Sequence, residues 1–562
     1  MTIIPLCRFR SLLQLLRVGI ALKLLLTLPC MIADTGNHGA WGDQGDGTFK
    51  NPLLPGDFSD PDVIRVGDDY YLVTSTFQYS PGIAILHSKD MVSWEYLGHA
   101  LPDPTKLGKG MNWDDMKEYG KGVYACSIRY HDGRFWIYTT TINHGIFMTS
   151  APSINGPWDP PTLVWKETWC DDDCPFWDDD GQAYLVYSDI GKGWFTHLVK
   201  MSPDGKSLDL LSDKVIDDFH TSEGNKIYKI NGTYYIFHNE VRGPGNRVGV
   251  MLRSKNIWGP YEKKEILHGS GPVHEREPNQ GALVENKDGS WWFFTHQGNG
   301  DYEGRPTHLL PVQWVDGWPI PGKIDETGAG NLIWSYKKPI AGFQKEALQT
   351  DDEFSGAILS PQWEWNFHPR MEKWSLTERP GFLRLHAFQP IDQNLYNKGK
   401  KPGKGITDSF YLAGNSLTQR IIGYSGGEVV TKMDVAGMSD GQTAGLALFH
   451  GRCGRIGVSQ QEGVRIIQFT NNEVVTPGPV LKGNEIWLKA VINDKAEAFF
   501  FYSFDGKKFE PLGDTLPLGW ASYRGTRIAL FTYNTLSATG SVDFDWFHYH
   551  YPTDFQASAV AR

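Results

Sequence analysis

Three acidic residues, Asp60, Asp172 and Glu223, each stand eight residues ahead of a turn of Asp/Asn/Gly type that leads into an aromatic strand. The same count reaches Tyr124 and Gln280 in two further copies of the pattern. An acid ahead of a strand is ordinarily a solvated cap or turn residue. Three of them in register among five copies call for another reason. Carboxylates crowded into one concave site repel each other and raise the proton affinity of at least one of them, so folding alone does not favour the arrangement. Two chemistries would use it. Hydrolysis of a glycosidic bond needs two carboxyl groups of separated proton affinity, one acting as acid and one as base. A hard cation would also hold carboxylates together. The runs Asp171–Asp173 and Asp178–Asp180 lack the alternate spacing of a calcium loop, and the second belongs to a hairpin turn.

The elements that must position these side chains recur along the chain. They read GDDYYLVTS from Gly67, DGRFWIYTT from Asp132, DGQAYLVYS from Asp180, NGTYYIFHN from Asn231 and DGSWWFFTH from Asp288. Asp-Gly and Asn-Gly between apolar runs are strong hairpin signals, because the turn residues must accept positive φ. The turns lie about 64, 48, 51 and 57 residues apart, near the roughly 50-residue spacing of kelch-type blades. Second turn signals between them, such as HSKDMVSWE, SAPSINGPWD and RSKNIWGPYE, leave room for each unit to complete a four-stranded sheet. Five such sheets arranged radially make a five-bladed β-propeller over 44–342. Equivalent positions then converge on the axis, and Asp60, Tyr124, Asp172, Glu223 and Gln280 face one channel mouth.

Composition agrees with an all-β chain. The 562 residues exceed one hydrophobic core, so at least two domains are expected. The sequence is rich in Gly, Trp, Tyr and Phe, and its net charge of −11 argues against a phosphate-tracking surface and hence against nucleic acid as a partner. Aromatic faces without excess charge suit sugars, although most of these rings belong to the core. Residues 1–33 read as an export signal, with Arg8, Arg10 and Arg17 ahead of an apolar run too short for a comfortable membrane span. The mature chain is expected to be periplasmic or secreted, without an integral span; lipid anchoring at Cys30 is the alternative, with Pro29 a poor residue for it. The four later cysteines, Cys126, Cys170, Cys174 and Cys453, make no disulfide scaffold, and the Cys170–Cys174 pair has no His or Cys cluster for zinc.

The segments NPLLPGDFSDPDVIRVGDDYYLVTSTFQYSPGIAILHSKDMVSWEYLGHAL, CPFWDDDGQAYLVYSD, TSEGNKIYKINGTYY and GRPTHLLPVQWVDGWPI resemble glycoside hydrolase family 43 from Asn51 to about Lys338. The resemblance implies an inverting mechanism on a five-bladed propeller. Asp60, in SDPD, matches the general base that activates water. Glu223, in TSEG, matches the general acid, and Asp172 matches the acid that orients Glu223 and raises its proton affinity. Inversion needs the acid and base carboxyls roughly 6.5 to 9.5 Å apart. Arg305 matches an arginine that contacts substrate hydroxyls, and Phe77 an aromatic of the sugar pocket. Two departures concern the pocket floor. Tyr124 in VYACSIRY stands where many members have the tryptophan of Trp-Ala-Pro, and Gln280 in PNQGALVE stands where a histidine, sometimes associated with calcium, is common. Both are assigned to substrate binding. No metal ligand is assigned, no cofactor is required and structural calcium is disfavoured; His296 is read as a hydrogen-bonded core histidine rather than an axial ligand.

After WVDGWPIPGK the repeat stops and a polar stretch near Ser335 to Thr350 connects to a second domain, 350–553. Its alternating segments FLRLHAF, GEVVTKMDV, GLALFH, VRIIQFT, IWLKAVIN, AEAFFFYS, RIALFTYN and VDFDWFHYH indicate an antiparallel β-sandwich. It resembles the concanavalin-like module of some family members, which packs beside the propeller and helps shape the pocket entrance. The expected activity is exo-acting removal of terminal non-reducing α-L-arabinofuranose from plant hemicellulose side chains of arabinoxylan or xyloglucan oligosaccharides. SEGNKIYK and PNQGALVE favour this over the alternative, a β-1,4-xylosidase on xylo-oligosaccharides. From other classes, a non-catalytic glycan-binding propeller and a calcium-stabilised scaffold remain as alternatives.

Overall fold

A computed structural model describes residues 41–243, 246–269, 278–298, 301–343, 347–401, 404–423, 426–520 and 523–552. The export segment expected over 1–33 lies outside the described residues. Among the described residues no helix is long and apolar enough to cross a membrane.

Each copy of the aromatic hairpin opens an antiparallel meander of four strands. The leading strands are β1 (Asp62–Val66), β2 (Cys126–His131), β3 (Cys170–Trp177), β4 (Ser222–Ile230) and β5 (Pro278–Glu285). They pack in a closed cycle, β1 on β2, β2 on β3, β3 on β4, β4 on β5 and β5 back on β1, with the other strands of each meander radiating outward as the blades of a propeller. Apolar cores fill the spaces between neighbouring blades: Val73, Ile85, Ile128 and Ile137 between the first and second, and Val186, Leu198, Ile236 and Val250 between the third and fourth.

Turn chemistry explains why the hairpins form where they do. Asn231 and Gly232 take φ of 49° and 69°, and Asp132 and Gly133 take 48° and 72°, the double left-handed geometry whose twist matches the flanking strands. Asp180-Gly181 and Asp288-Gly289 instead sit inside longer loops, 178–182 and 286–290, between the paired residues Trp177 and Ala183 and the pair Glu285 and Trp291.

The carboxy-terminal residues build a sandwich of two antiparallel sheets. Alternation decides which face is inward: in Glu485–Ile492, the residues Ile486, Leu488, Ala490 and Ile492 are buried while their neighbours are not. The sandwich joins the propeller through backbone as well as side chains. Tyr79–Ser80, from the first blade, pairs with Glu364–Asn366 and forms the edge of one sandwich sheet. Beside that edge the fully buried Glu364 accepts from Arg420 (2.8 Å) and Arg527 (2.7 Å), and Arg420 also donates to the Asp57 carbonyl at 2.9 Å. These two arginines hold the Glu364 carboxyl well below the usual range against the opposing effect of burial. Within the connector, Ser335–Lys337 is itself a strand, paired with Thr48–Lys50.

Candidate active site

Asp60 lies just before β1 at φ 56° and is buried. Its Oδ2 accepts from Ser75 Oγ (2.6 Å) and from Arg305 Nη2 (2.9 Å), and His296 Nε2 lies 3.3 Å from Oδ1. Burial alone would raise its proton affinity, but Arg305 and His296 outweigh it and hold the carboxyl far below the ordinary aspartate value. Burial and the Arg305 charge push the His296 imidazole downward, and its Nδ1 lies 2.7 Å from the Gln297 carbonyl oxygen. His296 is thus a partner of Asp60. Arg305 is equally buried, an internal counter-ion of Asp60.

Asp172, at φ 57° and buried, is held by two neighbouring blades. Its Oδ2 accepts from the Gly224 N–H at 2.8 Å, and its Oδ1 accepts from the Gln280 amide. Here the balance runs the other way: burial and the Glu223 charge push the Asp172 carboxyl up to about 6, against the two hydrogen bonds. Glu223 lies beside this pair, and its Oε1 is 2.9 Å from Arg247 Nη2. Sequence reasoning gave Glu223 only Asp172 as a neighbour; Arg247 arrives from the third strand of the same blade, Arg247–Ser254.

The cross-strand register corrects the equivalence of positions inferred from counting. A bulge interrupts the first hairpin of three blades between Asp171 and Cys174, between Glu223 and Lys226, and between Asn279 and Ala282. The first blade has the same extra residue, since Ser75 donates to the Ser59 carbonyl while Asp62 pairs with Val73. Asp60, Asp172, Gly224 and Gln280 are therefore equivalent, and all four have positive φ. Glu223 belongs one residue earlier, with Ser59, Asp171 and Asn279. Counting misplaced it because Asp68 is the second residue of a two-residue turn and Asn231 the first, while Asp180 and Asp288 lie inside longer loops. Such bulges re-aim side chains beside active sites. At Gly224 a Cβ would sit 2.9 Å from Asn239 Oδ1 and 3.2 Å from Gln280 Cα, so only glycine lets β4 close on Asp172.

The repeated segments also carry a signal for the supporting groups. The polar residue at the close of each repeated aromatic segment, Ser75, Thr140, Ser188, Asn239 and His296, bonds to the groups around the axis. Ser75 and His296 serve Asp60, Thr140 Oγ1 donates to Asp173 at 2.5 Å, Ser188 accepts from Asn225 at 2.8 Å, and Asn239 accepts from the Gln280 N–H at 2.7 Å.

The remaining expected residues form the wall. Phe77 is fully buried, bridged to Val123, and meets Tyr124 edge-on with ring centroids 5.8 Å apart, so it backs the wall rather than lining it. Tyr124 is partly buried. The sandwich adds two residues that the sequence did not single out, Tyr523 and Arg524. The Tyr523 ring lies 5.4 Å from that of Phe77, its hydroxyl is 2.9 Å from the Tyr124 hydroxyl, and the Arg305 guanidinium stands 5.8 Å over its ring. Arg524 donates to Gln78 at 2.9 Å.

Away from this site, Asp217, His238 and Glu240 bring three potential metal-ligand atoms within 4.8 Å of one another. Lys263 Nζ already lies 2.7 Å from Asp217 and 2.5 Å from Glu240, so the cluster is neutralised by a protein cation. All four later cysteines are free and buried.

Two buried carboxyl centres shifted in opposite directions at the axis of a propeller are the kind of separated pair that carboxylate-dependent hydrolysis of glycosides uses. The sequence profile of Glycosyl hydrolases family 43 matches residues 49–319, and that of the Beta xylosidase C-terminal Concanavalin A-like domain matches 351–550. The chain is similar to a beta-xylosidase of Formosa agariphila, 39% identical over 551 residues that cover 91% of this chain and 92% of that one. It is also 36% identical over 364 residues to a non-reducing end alpha-L-arabinofuranosidase of Bacteroides ovatus, covering 60% and 65% of the two chains. Among solved structures, a family 43 protein of Bacillus licheniformis superposes with a TM-score of 0.76 at 27% identity, covering 90% of this chain and 99% of that one. The chain belongs to glycosyl hydrolase family 43 and is a glycoside hydrolase.

Proposed function

We propose that this protein is an inverting, exo-acting glycosidase that removes one terminal non-reducing pentose from hemicellulose oligosaccharides outside the cytoplasm. The observation that carries the reading is the opposed pair of environments: Asp60 held ionised by Arg305 and His296, and Asp172 pushed up to about 6 beside Glu223. In the proposed reaction Asp60 is the general base. It takes a proton from a water that attacks the anomeric carbon, while Glu223 gives a proton to the departing glycosidic oxygen on the opposite face. In this scheme Asp172, set beside Glu223 and pushed up by burial and the Glu223 charge, orients the side chain that carries the proton. The products are the free pentose with inverted anomeric configuration and the shortened glycan. Tyr124 and Tyr523, backed by the buried Phe77, form the aromatic wall against which a single sugar ring would rest, and the sandwich side of that wall favours attack at a chain end.

Two pentoses fit this reading. α-L-Arabinofuranose is supported by the SEGNKIYK and PNQGALVE segments and by the name of the Bacteroides ovatus relative. β-D-Xylopyranose is supported by the name of the Formosa agariphila relative, matched along nearly the whole chain. Release from paired aryl α-L-arabinofuranoside and aryl β-D-xyloside, with the anomer followed by NMR, separates them. Retention of configuration would overturn the inverting scheme, and turnover of neither substrate would overturn the pentosidase reading.

A further inference from the structure

In the proposed reaction Glu223 gives its proton to the glycosidic oxygen, so the rest of the oligosaccharide leaves on the Glu223 side of the pocket. Two features of the second and third blades lie along that side. The first is Trp169, one residue ahead of β3 and three ahead of Asp172, with 53% of its surface exposed. A lone exposed aromatic is ordinary, but a bulky residue seldom takes a left-handed backbone, and Trp169 has φ 64°. It is gripped from both sides. Its N–H donates to the Ile142 carbonyl of the second blade at 3.0 Å, and its own carbonyl accepts from the Gly191 N–H at 3.2 Å. From Gly191 the chain runs on to Trp194, whose carbonyl accepts from the Ser222 N–H at 2.9 Å, next to Glu223. One short loop therefore links the Trp169 ring to the proposed acid.

The second feature is an open groove of about 550 Å³ on the flank of the second blade, within the size range of small-ligand sites. Thr168, the residue before Trp169, lines it, together with Asn143 and His144 in the turn that follows Thr141. Leu107, Phe147 and Leu163 give it apolar surface, and its lining comes from the propeller alone. Glu118 ties this groove to the sugar pocket. It accepts from Asn143 Nδ2 at 2.8 Å and lies 3.3 Å from His144 Nε2. Two residues on, the Gly120 carbonyl accepts from the hydroxyls of Tyr124 (3.0 Å) and Tyr523. Amide, imidazole and hydroxyl groups beside apolar side chains suit the hydroxyls and C–H faces of sugars. Two of the three charged residues in the groove have neighbours outside it, Lys106 facing Asp103 at 3.7 Å and Glu167 facing Lys192 at 3.9 Å. Lys166 is the third, and this balance favours an uncharged glycan over an anionic one.

We infer that Trp169 and the groove form the surface that binds the departing glycan: Trp169 stacks on the first backbone sugar beyond the scissile bond, and the groove takes the residues that follow in an uncharged hemicellulose backbone. The inference rests on the hydrolase reading and deepens it.

The test compares a pentosyl fluoride, which has no sugar beyond the anomeric centre, with a xylo-oligosaccharide of four residues that ends in the same pentose. In Trp169→Ala, kcat/KM on the oligosaccharide should fall at least tenfold while that on the fluoride stays within twofold. Trp169→Phe, which keeps a flat ring, should stay within threefold of the parent on both. Leu163→Glu, which puts a charge in the groove, should lower kcat/KM on the four-residue substrate at least fivefold more than on the two-residue one. Equal losses of Trp169→Ala on fluoride and oligosaccharide, or no loss on the oligosaccharide, would overturn the role of Trp169; equal losses of Leu163→Glu on the two chain lengths would overturn that of the groove. Calorimetric titration of Glu223→Gln with the same oligosaccharide reads the surface without turnover, and adding Trp169→Ala should raise Kd at least tenfold. Absence of turnover in the parent protein would sink the hydrolase reading and leave this inference to the titration, where an unchanged Kd would sink it separately.

Discussion

Replacing Asp60 by Asn isolates the proposed general base with little change of shape. The amide oxygen can still accept from Ser75 Oγ, 2.6 Å away in the parent protein, but the charge facing Arg305 at 2.9 Å and His296 at 3.3 Å is gone. General base catalysis contributes about 10²- to 10⁴-fold, or about 3 to 5 kcal/mol of barrier, and that loss should appear in kcat. Stability should fall as well, because Arg305 stays buried opposite a dipole; breaking one side of a buried ion pair costs about 3–5 kcal/mol, offset in part because the Asp60 charge no longer needs burying. The sign of the pH dependence follows from the depressed Asp60 value. Its stabilising contribution is complete above the unfolded value of 3.8 and is lost as pH falls below it. The stability gap between parent and variant should therefore be widest above about pH 5 and close toward pH 2 or lower. Initial rates of aryl pentoside release at pH 6, with urea melts across that range, read both effects. A folded variant that keeps more than a tenth of the parental kcat would refute the assignment of Asp60.

Glu223→Gln should lower hydrolysis of oligosaccharides by about 10²- to 10⁴-fold and that of a dinitrophenyl pentoside far less, since a good leaving group needs no proton; equal losses on both would count against a general acid. Tyr523→Ala removes the sandwich side of the wall, its contact with Phe77 and its hydroxyl contact with Tyr124; KM for the aryl pentoside should rise several-fold with a smaller change in kcat, and unchanged KM would exclude a role for the sandwich in the pocket. Asp173 is pushed up to about 7 by burial, so the native state holds a proton there that the unfolded chain has released. Relative to the parent, Asp173→Asn should gain stability as pH rises from about 4 to about 7, by on the order of 3–4 kcal/mol in all. A pH-independent difference in urea melts would show that Asp173 is ionised in the fold throughout.

The elements that could be read along the chain are those fixed by neighbours in sequence. Asn231-Gly232 must turn because both residues accept positive φ, and YYIFH must then run as a strand; five such hairpins gave the propeller, and strict alternation gave the sandwich. Asp60, Asp172 and Glu223 could be picked out for the same reason, since each precedes a hairpin by a short stretch. The bulge was not legible, because an extra residue in one strand is defined only by the partner it fails to meet. That is why Glu223 had to move one place in register.

Sequence by itself singled out Asp60, Asp172 and Glu223; the tertiary structure decided what surrounds each acid. Asp60 and Asp172 are both buried at nearly the same φ, yet one is driven down and the other up in proton affinity. The difference lies in Arg305 and His296, more than 200 residues away from Asp60, against the Glu223 charge that the adjoining fourth blade sets beside Asp172. Phe77 likewise became the backing of a wall only when Tyr523 came across from the sandwich. Charge and packing depend on distance in space, and distances between residues so far apart in the chain exist only once the blades have closed.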